Sequence, residues 1–312
     1  MTLATSLYRF PLTIGLQGHL GAGKTTFLQG FLAGLGIEGP VVSPTYALEQ
    51  RYETPYGELL HIDLYRLKET DARKLIDESD EFTGIRCVEW ADRVKLRCDI
   101  DIDLAEDTEK GGRNLTVAFH DIAIPKEADI RKWRDEMGLP AHIRRHCDAV
   151  AGFAEKLAGD LLTKGILLRP LALRRSAEVH DLLRFVDFFP GASHEEIGEE
   201  PEQWAQVRKN YAGMRHEEAC ANFLKSRGYP EIASIVAVHG LKLPPGDRAT
   251  IEQKLLYYAD KRVREDSVVT LDERFTDFAQ RYGNGTILPE HKMWLAEAKR
   301  IESELFPGGV PL

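Results

Sequence analysis

Two sets of residues in this chain have types and spacings that suit chemistry. The first is Gly18-His19-Leu20-Gly21-Ala22-Gly23-Lys24-Thr25-Thr26, which reads G-x-x-x-x-G-K-T. Glycines there let several backbone N–H groups turn toward one point, and an unpaired helix N-terminus beside them favours an anion. A phosphate bound there would meet the backbone of Gly18, Gly21, Ala22, Gly23 and Thr26 and the ammonium of Lys24, with the Thr25 hydroxyl left for Mg²⁺. Lys24 is expected at the surface. The second set is His146, His180-Asp181, His216, His239 and Asp260. His146, His180 and Asp260 sit among small or apolar residues, where an imidazole or carboxylate is costly unless paired or metal-bound. Imidazole and carboxylate together suit Fe, Mn, Zn or Ni rather than Ca²⁺.

The elements that must position the first set are legible around it. Phe10 to Leu16 has the length and apolarity of a strand, and Thr26 to Leu35 repeats its apolar residues at helical spacing. Strands are expected over Ala47–Tyr52, Leu59–Leu64 and Ile85–Trp90, a helix over Glu69–Phe82, and a closing hairpin from Arg97–Leu104 and Leu115–His120. Three polar residues fall at or beside strand ends. Asp63 is the expected second protein group near the metal after Thr25. Thr45, in a loop after a strand around Val41-Val42, is placed to touch the metal or the γ-phosphate. Glu89 is placed to orient or deprotonate an attacking water. Each has a plainer reading as a helix cap, a turn residue or a surface strand residue.

Helical patterns carry the second set. They cover Ile143–Leu162, Leu171–Phe185, Trp204–Lys225, Pro230–Val238, Ile251–Arg264, Leu271–Tyr282 and His291–Leu305, and the charged connector before them is expected to be helical over Ala128–Met137. This spacing puts His216 near the middle of a long helix and His239 at the end of the next. Lys261, Arg174, Arg175 and Arg184 are cationic neighbours for a substrate phosphate, although a solvated face fits the arginines equally well. His194, among Glu195, Glu196 and Glu199, reads as solvated.

A chain of 312 residues with 43% hydrophobic content implies two ordinary globular domains. Residues 1–120 hold 13 Lys and Arg against 19 Asp and Glu, and the remainder holds 28 against 31. Neither part is a basic nucleic-acid-binding module, so any RNA contact is indirect or local. No apolar run approaches membrane-span length, and the N-terminus lacks a signal-peptide pattern. Cys87, Cys98, Cys147 and Cys220 are scattered without a C-x-x-C pair, as expected of reduced thiols in a cytoplasmic protein.

Gly18 to Thr26, Ser43-Pro44-Thr45-Tyr46, His61-Ile62-Asp63-Leu64-Tyr65-Arg66 and Val88-Glu89-Trp90 resemble, in order and spacing, the TsaE family. The resemblance covers about residues 5–120. It implies a P-loop α/β fold with a mostly parallel sheet and an ATPase using ATP and Mg²⁺. It also implies work with the TsaB–TsaD pair in making threonylcarbamoyladenosine in tRNA, and functional roles for Lys24, Thr25, Thr45, Asp63, Glu89 and Trp90. His19 departs from the family pattern, where Asp is usual.

Residues 140–285 resemble the HD superfamily of metal-dependent phosphohydrolases through His146, His180, Asp181 and Asp260, with Arg145-His146-Cys147-Asp148 and Ala259-Asp260-Lys261-Arg262 as local text. His216 and His239 resemble the extra histidines of two-metal members, with Asp181 bridging one or two transition metal ions. The implied organisation is an α/β P-loop domain over residues 1–122, a connector over 123–139 and an all-α HD domain over 140–312. Three functions fit: an ATPase for tRNA modification fused to a hydrolase of a phosphate ester or nucleotide, a P-loop sensor gating that hydrolase without a tRNA role, or a helical docking module without catalysis.

Overall fold

The computed structural model describes residues 10–37, 41–55, 57–107, 111–188, 200–241, 247–282 and 288–311. The chain divides into two compact units, residues 1–122 and 123–312.

The first unit is built on a six-stranded sheet. Its central strand, β1 (Leu12–Gln17), is paired in parallel on one side with β4 (Ile85–Glu89) and on the other with β5 (Ile100–Asp107). Flanked on both edges, β1 buries the alternate residues Leu12, Ile14 and Leu16 on one face, and Gly15 on the other is buried too. Next to β4 lies parallel β3 (Gly57–Asp63), and beyond it antiparallel β2 (Glu49–Thr54) forms one edge. Antiparallel β6 (Gly112–Phe119) pairs with β5 at the other. Helix α1 (Lys24–Gly34) follows β1 and buries Leu28, Phe31 and Leu32. Helix α2 (Glu69–Glu78) links β3 to β4 and buries Ala72 and Ile76. The expected strand around Val41-Val42 is absent: the described stretch 41–48 is loop and turn.

Among its described residues, the second unit is helical apart from a two-stranded hairpin, Val263–Arg264 with Ser267–Val268, which amends the all-α expectation. The connector segment holds the expected helix. Its helix α3 (Glu127–Glu136) buries Ile130 and Trp133, and Arg134 donates through Nε and Nη2 to the Glu178 carbonyl at 3.2 and 2.7 Å. Helix α4 (Ala141–Thr163) packs on α5 (Pro170–Val179). The expected single helix from Trp204 to Lys225 is two, α6 (Gln203–Asn210) and α7 (His216–Ser226). Gly213 between them adopts a left-handed φ of +81°, a conformation that ends a helix and that glycine takes at little cost. His216 therefore opens a helix instead of sitting inside one. Helices α8 (Pro230–Val236), α9 (Ile251–Arg262), α10 (Leu271–Tyr282) and α11 (Pro289–Leu305) complete the unit. No helix among the described residues is long and apolar enough to cross a membrane.

Candidate functional site

In the first unit, the carboxyl ends of β1, β3 and β4 meet at the phosphate loop. Gly18, Gly21 and Gly23 have φ of +126°, +82° and +103°, and Gly23 is the residue from which α1 starts. A side chain on Gly18 would place its Cβ 2.3 Å from the Leu104 carbonyl oxygen, so the loop closes against β5 only with glycine there. Lys24 is 5% exposed, buried instead of on the surface. Its Nζ donates to the carbonyls of Gly18 and His19 at 2.7 and 2.9 Å and lies 3.6 Å from the centre of the Trp90 ring. Burial pushes its ammonium down from the ordinary lysine range, while Glu89, Asp63 and Asp92 oppose that shift. His19 lies 3.5 Å from Glu106, so the sequence's departure at this position places an imidazole beside a carboxylate.

Two small polar clusters flank Lys24. Asp63 and Glu89 are partners in the β3–β4 register, so their side chains leave the sheet next to each other. The Thr25 hydroxyl donates to Glu89 Oε1 and Oε2 at 2.9 and 3.2 Å. Asp63 Oδ2 accepts from the hydroxyls of Thr45 at 2.6 Å and Ser43 at 2.7 Å, and Oδ1 accepts from the Tyr65 backbone N–H at 2.9 Å. Thr25, Thr45, Asp63 and Glu89 are thus oxygen groups gathered beside one lysine, a donor set that fits a hard cation such as Mg²⁺. Trp90 stacks on Tyr65, with ring centres 5.0 Å apart. Sequence reasoning passed over Ser43 and His61. His61 is fully buried, with Nε2 3.0 Å from Glu89 Oε1, and fixes that carboxylate from behind.

In the second unit, five elements bring the histidines and aspartates together. His146 lies on α4, His180-Asp181 directly follow α5, His216 opens α7, His239 follows α8, and Asp260 lies on α9. His146 Nε2 is 3.1 Å from Asp260 Oδ1, and His180 Nε2 is 3.7 Å from the same oxygen. On the other side, Asp181 Oδ1 is 3.1 Å from His216 Nε2 and 3.6 Å from His239 Nε2. Ligand atoms of His146, His180 and Asp181 fall within 4.8 Å of one another, and so do those of Asp181, His216 and His239. Asp181 belongs to both groups.

The outer ring nitrogens fit the same picture. Nδ1 faces a carbonyl oxygen in His146 (Glu265, 2.8 Å), His180 (Ala177, 2.7 Å) and His239 (Val236, 2.6 Å), and a carboxylate in His216 (Asp187, 2.5 Å). An oxygen acceptor at Nδ1 holds the proton there and leaves the Nε2 lone pair inward, the arrangement of metal-ligating histidines. His180 Nε2 is buried and makes no hydrogen bond, an orphan that a cation would satisfy. Burial raises the Asp181 carboxyl, but His180 and His216 outweigh it and hold the group well below the usual carboxylate range. Burial pushes the His239 imidazole down to about 4, so it is neutral and free to ligate. The set fits one or two ions of the Fe, Mn, Zn or Ni class.

His146, Asp181, His216, His239 and Asp260 line a cavity of about 760 Å³. Arg184, Arg215, Lys261 and Arg274 line it with positive charge, and Phe278, Leu288 and Trp294 give it an apolar wall. Of the four cations that the sequence singled out, Lys261 and Arg184 reach the cavity. Arg174 and Arg175 pair instead with Glu178 on α5. His194 lies outside the described residues.

Comparison with known proteins bears on the first unit. Residues 2–115 match the family described as Threonylcarbamoyl adenosine biosynthesis protein TsaE. A TsaE protein of Aquifex aeolicus (strain VF5) is 45% identical over 93 residues, which are 29% of this chain and 65% of that protein. One from Synechocystis sp. is 44% identical over 84 residues, 25% of this chain and 54% of that protein. Against the first of these relatives the chain thus spans between half and two thirds of their length. A TsaE protein of Treponema pallidum (strain Nichols) is 36% identical over 110 residues, 33% of this chain and 78% of that protein. The glycine loop, the Asp63–Glu89 pair and this similarity agree: through its N-terminal unit, the chain belongs to the TsaE family.

Proposed function

We propose that the chain is a two-function protein. The first unit binds and hydrolyses ATP in support of tRNA threonylcarbamoyladenosine formation, with a TsaB–TsaD pair as its partner and tRNA met only through it. What supports this is the convergence of Thr25, Thr45, Asp63 and Glu89 on Lys24 within a chain whose relatives carry that role in their names. Lys24 leaves the Gly18 and His19 carbonyls to meet the outer phosphates. Thr25 and Asp63 hold Mg²⁺, with Thr45 beside them, and Mg²⁺ supplies charge neutralisation at the phosphates when bound. Glu89, freed from Thr25 and still fixed by His61, orients the attacking water and accepts its proton. Trp90 flanks the nucleotide. The test is ATP turnover by the purified chain with and without TsaB–TsaD. Absence of binding to that pair would leave the nucleotide-sensing alternative.

The second unit is read as an HD-type metal-dependent phosphohydrolase acting on a phosphate ester or nucleotide. The observation that carries this is the Asp181 carboxylate shared between two sets of inward-facing histidines. His146, His180, Asp181 and Asp260 would hold one ion, and Asp181, His216 and His239 a second. When bound, such a pair supplies Lewis acidity and an activated water. Lys261 and Arg184 face the cavity where a phosphate group would lie. Elemental analysis with a phosphoester screen tests the reading, and a chain that binds no transition metal would favour a docking module.

A further inference from the structure

We propose that Asp187 is a positioning residue that makes His216 competent to ligate the second of two metal ions, a role that rests on the dinuclear reading above. Asp187 ends a short 3₁₀ turn, Arg184–Asp187, just after the His180-Asp181 pair. Its carboxylate holds His216 at two points. Oδ1 accepts from the His216 backbone N–H at 3.0 Å, and Oδ2 lies 2.5 Å from the ring Nδ1. The first contact satisfies a donor in the opening turn of α7, where no side chain of the preceding Arg215 provides a cap. The second sets the ring.

The setting matters because several charged groups crowd the same ring. Arg184 Nη1 lies 2.8 Å from His216 Nδ1 and 3.2 Å from Nε2, which puts the guanidinium against the ring face and not on the Nδ1 lone pair. Of the two carboxylates near Nδ1, Asp187 Oδ2 at 2.5 Å is nearer than Glu217 Oε2 at 3.4 Å. With its proton on Nδ1 and directed at Asp187, the ring offers the Nε2 lone pair toward Asp181 Oδ1 at 3.1 Å and His239 Nε2 at 3.3 Å. With no acceptor at Nδ1, a neutral ring is free to carry its proton on Nε2, and the inward face is then closed to a cation. Asp187 therefore selects the ligating tautomer, and it also gives Arg184 an acceptor at 3.4 Å in Oδ2. His146, His180 and His239 have their tautomers set by backbone carbonyls, which no substitution removes. Among these four histidines, His216 alone has its outer nitrogen on a carboxylate, so its state is open to mutation. Loss of such an outer carboxylate weakens metal binding roughly 10- to 100-fold.

The experiment uses the full chain, stripped and titrated with Mn²⁺, reading bound ions by electron paramagnetic resonance. Two Mn²⁺ ions that share the Asp181 carboxylate give an exchange-coupled spectrum distinct from that of a single ion. The parent is expected to bind two. Asp187→Ala and the isosteric Asp187→Asn should keep the first ion within about twofold of parent affinity. The second should weaken roughly 10- to 100-fold in Asp187→Ala, with loss of the coupled spectrum, and less in Asp187→Asn, whose amide oxygen still accepts from Nδ1. Asp187→Glu should restore the coupled spectrum in part. Binding of the second ion unchanged in both Asp187→Ala and Asp187→Asn, or equal weakening of both ions, would overturn the role. A parent that binds one ion or none overturns the dinuclear reading itself, and does so before any variant is compared.

Discussion

Glu89 touches three things at once: the Thr25 hydroxyl, the buried His61 ring and the backbone register with Asp63. On the proposed role, in which this carboxylate acts on water and not on the nucleotide, Glu89→Gln should retain ATP affinity and lose hydrolysis by roughly 100-fold or more. Binding and turnover that fall together would make Glu89 a structural residue. In the second unit, Asp181 serves both histidine sets and His216 only one. About two metals per chain in the parent, one in His216→Ala and none in Asp181→Ala is the expected order by elemental analysis. Motif residues were legible because their types are expensive to bury without a purpose. His61 and Asp187 were not. A histidine between leucine and isoleucine in a strand reads as core, and an aspartate in a turn reads as solvated. What marks each is a contact made across the fold, to Glu89 and to His216, and spacing carries no trace of it.

Strands and helices were readable where periodicity was long, and they were lost where a single residue decides. The inner strands announce themselves by short segments rich in Leu, Ile and Val, most of them buried. The break between α6 and α7 spans residues 211–215, with Gly213 left-handed and Arg215 extended, and it moves His216 from mid-helix to a helix start. The helix 127–136, legible within its charged connector, packs through one narrow stripe, Ile130 and Trp133. Glycine also decides the shape of the phosphate loop. Gly18 faces the Leu104 carbonyl with no room for a Cβ, whereas Gly21 has nothing within 4 Å. Gly18→Ala must move the loop off β5 and should weaken ATP binding more than tenfold. Gly21→Ala meets only the left-handed strain, about 1–2 kcal/mol, and should retain more affinity. Isothermal titration with a non-hydrolysable ATP analogue distinguishes the two, and equal losses would contradict the close approach at Gly18.

At the scale of the whole molecule, each candidate site draws its named residues from one compact unit. The oxygen cluster beside Lys24 draws on residues 18–90, and the imidazole cluster on residues 146–260. The expected outcome is independence. Lys24→Ala should abolish ATP hydrolysis and leave metal content and phosphoester turnover at parent levels, while Asp181→Ala does the reverse. Phosphoester turnover that falls with Lys24→Ala, or responds to ATP, would point to the gating alternative. The Lys24–Trp90 contact has an optical consequence. The four tryptophans of the chain are Trp90, Trp133, Trp204 and Trp294, so the first unit holds a single indole, and a buried ammonium lies 3.6 Å above it. Emission from an indole shifts with the charge at its face. Withdrawal of the lysine toward an incoming phosphate would therefore be visible as a change in intrinsic fluorescence, without a label, and residues 1–122 carry their own reporter of nucleotide arrival.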